Sequence, residues 1–224
     1  ILKLRQRDNY FLFLDEVNSL TTYLIESSTL SDKRLFIYRR FVELVKGANT
    51  IIATDADVSD LTLNFFKNCW EEEDICFIHN EYQNFKDIKA CHYLNENDLV
   101  AKLKQKIECE EPFIACFDSR TKLDMIYQEV MDKSQKDRFV KHTSIESGEL
   151  SNVNEDWKDK YVFYSPKIIY GIDFVPEEAQ DVFLFITTKT INPLQVSQQM
   201  ARCRNIRKVF YLLNLYKRDL NSRQ

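Results

Sequence analysis

The chain has 224 residues, 31 of them basic and 35 acidic for a formal charge of −4, and 44% are hydrophobic. This length holds one large domain or two small ones, each able to bury a core, and with only three glycines and four prolines the composition excludes a disordered or collagen-like chain. No apolar run approaches the roughly 18 residues of a membrane span, no secretory signal is visible, and the near-balanced charge leaves nucleic-acid binding to a local basic face.

In chain order, the first apolar run is residues 10–14 (YFLFL), which reads as a strand. The chain starts at Ile1, without an initiator Met and a few residues ahead of that strand, so a piece of something longer is expected. Residues 33–45 have the apolar spacing of a helix, 50–54 (TIIAT) of a strand, 61–70 of a helix and 75–79 (ICFIH) of a strand. The polar stretch 80–90 (NEYQNFKDIKA) then suggests a boundary, dividing the chain into 1–85 and 86–224. Beyond it come a helix over 96–108, a strand over 113–117 (FIACF), a helix over 122–134, strands over 161–164 (YVFY) and 182–187 (VFLFIT), a helix over 195–205 and a strand over 209–213 (VFYLL). Such alternation predicts an α/β protein with parallel sheets. Seven strands at this length fit two sheets better than one.

Six cysteines, Cys69, Cys76, Cys91, Cys109, Cys116 and Cys203, are scattered without a CxxC pair, which argues for reduced thiols in a cytosolic or nuclear-type compartment. Cys76, His79, Cys91 and His92 could be assembled into a zinc site on paper. Their spacing matches no usual finger, and residues three apart on a strand face opposite sides.

Ligands of open parallel sheets sit at the carboxyl ends of the strands. Polar clusters stand at that position here: Asp15 and Glu16 after YFLFL, Thr54 and Asp55 after IIA, Asp118, Ser119 and Arg120 after FIACF, and Ser165 after YVFY. In TDADVSD, Asp55 and Asp57 are one residue apart, and two carboxylates so spaced can share a hard cation through oxygen ligands. The stretch looks like the TDADVDG element of toprim domains, although Asp60 stands where that family has glycine and no upstream glutamate motif is recognisable. That reading would make the chain a magnesium-dependent nuclease or primase.

A second resemblance covers almost the whole chain. LDEVNS, IIATDAD, FDSRTK, SPKIIYGIDF and QQMARCRN occur in the order of motifs II to VI of superfamily 2 helicases. The set is similar to that of the herpesvirus-type replication origin-binding helicases and related replicative proteins of large DNA viruses. This resemblance implies two RecA-like lobes with parallel sheets, the first incomplete: 1–85 as the later part of the N-terminal lobe, with motifs II and III, and 86–224 as the C-terminal lobe, with motifs IV to VI. It implies an ATP-dependent DNA helicase or translocase motor acting in replication, with ATP and Mg2+ as cofactors.

The residue roles follow from the same resemblance. Asp15 would hold magnesium through water and Glu16 would be the base; Asn18 stands where relatives have His or Asp. Motif III links nucleotide state to nucleic-acid grip, which places Thr54 and Asp55 toward nucleic acid and makes Asp55 and Asp57 hydrogen-bonding or structural residues rather than a metal pair. In motif IV, Ser119, Arg120 and Thr121 precede a helix, whose free amides can hold a phosphate, although capping by Ser or Thr explains the same residues. In motif V, Ser165 and Lys167 are candidate phosphate-backbone contacts, Gly171 permits a close approach or sharp turn, and Asp173 would contact the ribose or a motif VI arginine. In motif VI, Arg202 and Arg204 would reach the γ-phosphate, with Gln198 as an accessory contact; Ala201 replaces the family glycine and Asn205 its final arginine.

Expected partners are single-stranded DNA, fork or origin DNA, and replication proteins such as a primase domain, with no membrane, at a viral replication site in the cytoplasm or nucleus of an infected cell. One motif is missing from the sequence. No GxxxxGK followed by Ser or Thr occurs, so no P-loop can form. A non-catalytic helicase-like module that binds DNA or a replication partner therefore stays open beside the motor.

Overall fold

Parallel pairing organises both sheets of the computed structural model, which describes residues 9–71, 74–82, 85–143, 152–166, 172–187, 191 and 193–213. The chain divides into two units, Ile1–Tyr82 and Gln83–Gln224.

In the first unit, β1 (Phe11–Leu14) and β2 (Thr50–Ala53) run in parallel with Leu14 opposite Ala53. Between them come α1 (Val17–Glu26), a 3-10 turn (Ser28–Lys33) and α2 (Arg34–Lys46), and α3 (Asp60–Lys67) follows β2. Leu14, Val17, Leu24, Phe41, Val45 and Phe65 form the core. Phe11, Phe13 and Ile52 remain exposed on the strands. Helix α1 was not foreseen from VNSLTTYLIE, whose threonines favour helices weakly. Burial of Val17, Thr21 and Leu24, all on one helical face, supplies what propensity does not.

The strand expected at 75–79 does not form. Ile78 is 86% exposed, and among the described residues the first unit's sheet contains β1 and β2 alone. An apolar run without a neighbouring ladder has nothing to hold it as a strand.

The second unit is built on six parallel strands: β3 (Lys89–Tyr93), β4 (Phe113–Phe117), β5 (Phe139–His142), β6 (Tyr161–Tyr164), β7 (Gln180–Ile186) and β8 (Ile206–Leu213). Their order is β3-β8-β7-β4-β6-β5. Two-residue periodicity divides the core into two layers. Phe113, Ala115, Phe117, Phe183 and Phe185 pack with α4 (Glu96–Glu108) and α5 (Arg120–Val130), while Ile114, Cys116, Val182 and Leu184 pack with Trp157 and with Val196 of α7 (Pro193–Met200). A short helix, α6 (Val153–Asp156), precedes β6. The edge strands β3 and β5 were not foreseen, because KACHY and FVKH are short and half polar. Their ladders to β8 and β6 create them.

Helix α7 stops at Met200, whereas the sequence predicts a helix through residue 205. The following residues leave the helix because Cys203 forms a parallel bridge with Phe174: Phe174 N–H donates to Arg202 O at 2.9 Å and Arg204 N–H to Phe174 O at 2.8 Å. Arg202 and Arg204 thus stand on a turn past the helix.

At the amino ends of β7 and β8, four charges interlock. Lys106 Nζ lies 2.6 Å from Asp181 and 2.5 Å from Glu111, and Arg207 lies 2.8 Å from Asp181 and 3.0 Å from Glu111. Lys106 and Asp181 are buried. Among the described residues no helix is long and apolar enough to cross a membrane.

Candidate functional site

Because β1 and β2 are parallel and in register, their carboxyl ends deliver motifs II and III side by side. The ladder continues one step past the strands, with Thr54 N–H donating to Leu14 O at 2.8 Å and Val17 N–H to Thr54 O at 3.1 Å. Thr54 Oγ1 donates to Asp15 Oδ1 at 2.9 Å, and Glu16 N–H donates to the same oxygen at 3.1 Å. Asp15 is otherwise exposed.

Glu16 has φ 54° and ψ 43°, the left-handed region. For a non-glycine residue this costs roughly 1–3 kcal/mol. It turns the chain from β1 into α1 within two residues, and Glu16 gives α1 no side-chain cap. The cap comes from motif III: Asn18 N–H donates to Asp55 Oδ2 at 2.8 Å. A carboxylate there also complements the positive end of the helix. The other Asp55 oxygen accepts from Asp57 N–H at 2.9 Å. The Asn18 side-chain oxygen accepts from Thr62 Oγ1 at 2.9 Å and from Ser59 Oγ, and the Thr21 and Thr62 hydroxyls share a hydrogen bond of 2.8 Å. Motif II, motif III and α3 are joined through Asn18.

This geometry bears on the metal questions. Both Asp55 oxygens engage backbone N–H groups, and among the described residues no three His, Cys, Asp or Glu side chains group to hold an ion. His92 stacks on Tyr211 with centroids 4.9 Å apart. Asp15 fits magnesium held through water. Its Oδ1 is fixed by Thr54 and Glu16, while its Oδ2 makes no hydrogen bond to the described residues.

In the second unit, Asp118 is buried and accepts from Thr187 N–H at 2.7 Å and Thr187 Oγ1 at 3.0 Å, tying the ends of β4 and β7 together. Ser119 caps α5, its Oγ accepting from Lys122 N–H at 3.4 Å. Arg120 and Thr121 lie exposed on the first turn, with Arg120 3.6 Å from Asp124. Ser165 is buried and its N–H donates to His142 O at 3.0 Å. Lys167 and Gly171 lie outside the described residues.

The motif V and motif VI residues meet. Arg202 Nε donates to Gln198 O at 3.1 Å and its terminal nitrogen to Ile172 O at 3.2 Å. Arg204 pairs through Nε with the Asp173 carboxylate, both side chains remaining substantially exposed. Within each unit the motif residues therefore cluster: Asp15, Glu16, Thr54 and Asp55 in the first, and Gln198, Asp173, Arg202 and Arg204 in the second. Sequence reasoning passed over Gln199, which is 1% exposed and donates from Nε2 to Phe117 O at 3.1 Å. The adjacent Gln198 matches motif VI and drew attention from it.

Comparison with known proteins finds similarity to viral proteins named for helicase and replication-origin functions. The chain is 27% identical over 183 residues to an uncharacterized, helicase-named protein of Acanthamoeba polyphaga mimivirus, covering 76% of this chain and 17% of that protein. It is 21% identical over 211 residues to the replication origin-binding protein of human herpesvirus 6A, covering 90% of this chain and 27% of that protein. The resemblance to viral replication origin-binding and helicase-named proteins holds. Similarity in structure extends to Saccharomyces cerevisiae Dbp5 bound to RNA and ADP-BeF3, with a TM-score of 0.59, 13% identity, and coverage of 92% of this chain and 54% of that one. At that identity the likeness shows the fold, a mixed α/β architecture with parallel sheets of the RecA-like helicase kind. No protein-family model matches the chain. The chain spans only about a sixth to a quarter of its viral relatives' length. The viral relatives support a helicase-type role.

Proposed function

We propose that the chain forms part of the motor of an ATP-dependent DNA helicase acting in replication, with residues 1–85 as the later part of the first RecA-like lobe and 86–224 as the second. The observation that carries this reading is the joining of motif II to motif III through Asp15–Thr54 and Asn18–Asp55, at two adjacent parallel strand ends. Phosphoryl transfer to water needs a positioned water and positive charge on the developing phosphate. Asp15 would hold magnesium through water, and Glu16, set by its left-handed backbone beside Asp15, takes the proton of the attacking water. Bound magnesium would neutralise phosphate charge. Arg202 and Arg204 provide side-chain positive charge, with Gln198 beside them and Asp173 orienting Arg204 or meeting the ribose.

Thr54, Asp55, Ser119, Arg120, Thr121, Ser165 and Lys167 serve the grip on nucleic acid, directly or through the backbone they hold. The DNA is single-stranded, fork or origin DNA, and a primase-type replication protein is a suitable partner. Contacts made mainly to phosphates predict binding that weakens steeply with salt. The reading rests on the viral relatives' names and on a neighbour solved with RNA and a nucleotide analogue.

The test is ATP hydrolysis stimulated by single-stranded DNA in the longest natural chain carrying this sequence, wild type beside Glu16→Gln. Stimulated turnover removed by the substitution is the expected result. Absence of turnover, with DNA binding kept, would favour the non-catalytic module.

A further inference from the structure

One buried carbonyl stands behind the motif VI arginines. Gln199 O accepts from the hydroxyl of Tyr164 at 2.6 Å and from Arg202 N–H at 3.3 Å. The Gln199 side chain reaches the other way, donating to Phe117 O at 3.1 Å. Phe117 ends β4 and Tyr164 ends β6, and both are fully buried, as Gln199 nearly is. The last turn of α7 is thus fastened to two central strand ends at the point where the chain leaves the helix.

The fastening continues outward. Arg202 O accepts from Phe174 N–H, Arg204 N–H donates to Phe174 O, and Cys203 between them is buried. Both arginines leave from a backbone fixed on the core side by Gln199 and Tyr164 and on the other side by Phe174. Burial raises the Tyr164 phenol well above its ordinary range, so it stays protonated and remains a donor.

We propose that Tyr164 and Gln199 are positioning residues for Arg202 and Arg204, holding the arginine turn by hydrogen bonds to the ends of β6 and β4. The assignment rests on the motor reading above. Neither residue touches nucleotide; each acts through the backbone that carries the guanidinium groups. A group aimed at a developing charge must be held within a fraction of an ångström before the reaction. A buried hydrogen-bonded frame gives that rigidity, whereas a solvated helix terminus would fray.

The test uses the longest natural chain, comparing wild type, Tyr164→Phe and Gln199→Leu. Tyr164→Phe keeps the ring and removes only the hydroxyl, so folding should persist even if Gln199→Leu fails to fold. The expected result is a fall in kcat for DNA-stimulated ATP hydrolysis of about fivefold, the rate equivalent of one neutral hydrogen bond, with KM for ATP unchanged. Hydrogen exchange should quicken across residues 200–204 and stay slow in β4, β7 and β8. A merely structural role would instead loosen the whole unit and leave kcat intact.

Wild-type turnover that Tyr164→Phe leaves intact, or unchanged exchange across residues 200–204, overturns this assignment alone. A wild-type chain without stimulated turnover overturns the motor reading and this assignment with it.

Discussion

Asn18 N–H donates to the Asp55 carboxylate at 2.8 Å, so a residue after β2 caps the helix that follows β1. Removing that cap should cost about 1 kcal/mol and loosen the first turn of α1, which the Glu16 side chain does not cap. Asp55→Ala should lower the urea midpoint of the chain and Asp55→Asn should recover most of the loss, whereas Asp57→Ala should change little. Equal effects of the Asp55 and Asp57 substitutions, with loss of magnesium binding in both, would revive the metal pair.

Arg204 pairs with Asp173 while both remain open to solvent. Under the motor reading Arg204→Ala should lower kcat by about a hundredfold or more, the range seen when a donor to transition-state charge is removed. Arg204→Lys should recover little, because a point charge does not replace the planar fork. Single-turnover hydrolysis separates this from slow product release. A value of kcat within twofold of wild type would remove Arg204 from the machinery.

The charges at the far end of the sheet predict a pH window. Burial alone raises the Asp181 carboxyl, but hydrogen bonds from Arg207 and Lys106 outweigh it and hold it below its ordinary value; Lys106 hydrogen-bonds Glu111 and holds its carboxyl down likewise. Groups depressed in the folded state stabilise above their unfolded pKa, about 4. That contribution disappears as pH falls through the folded values. For Lys106, burial lowers the pKa and the bonds to Asp181 and Glu111 raise it further. Its contribution is complete below about pH 10 and is lost as pH rises through the folded value. Asp181→Asn should destabilise the chain by about 3 kcal/mol at pH 7, since it leaves Lys106 buried without its buried carboxylate partner. The difference from wild type should shrink toward pH 3. Thermal melts across that range check it, and a pH-independent difference would contradict it.

Thiol accessibility tests the second core layer. Burial pushes Cys203 up to about 12 and raises Cys116 as well, whereas Cys76 and Cys109 are exposed. Iodoacetamide at pH 8 should label Cys76 and Cys109 quickly and reach Cys116 and Cys203 only when urea opens the chain. Labelling of Cys203 as fast as Cys109 in the native chain would show that the arginine turn does not hold its buried bridge.

The sequence was most legible where a side-chain pattern coincided with a buried element. FIACF and YVFY are buried on both faces and read as strands at once, and the helix over 96–108 matched α4 because its apolar spacing faces one layer. Edge strands β3 and β5 were hidden because KACHY and FVKH are short and half polar, with no apolar run to mark them. The run at 75–79 misled for the opposite reason, being apolar without a neighbour to pair with. Long-range partners decide both cases, and no local window contains them.

The candidate site divides in the same way. The sequence by itself determined which chemistries were available: DEVN after a strand, TDAD after the next, arginines near the end, and no GxxxxGK stretch, because these depend on residue identity and order alone. Only the tertiary structure decided what each residue touches. Parallel register set Thr54 against Asp15, and the chain after β2 brought Asp55 to the first turn of α1 as a helix cap. Folding α7 onto the ends of β4 and β6 made Gln199 a buried anchor beside the half-buried Arg202 and the exposed Arg204. Hydrogen bonds between residues 35 to 82 positions apart carry these assignments, and they exist only once the strands have brought their ends together.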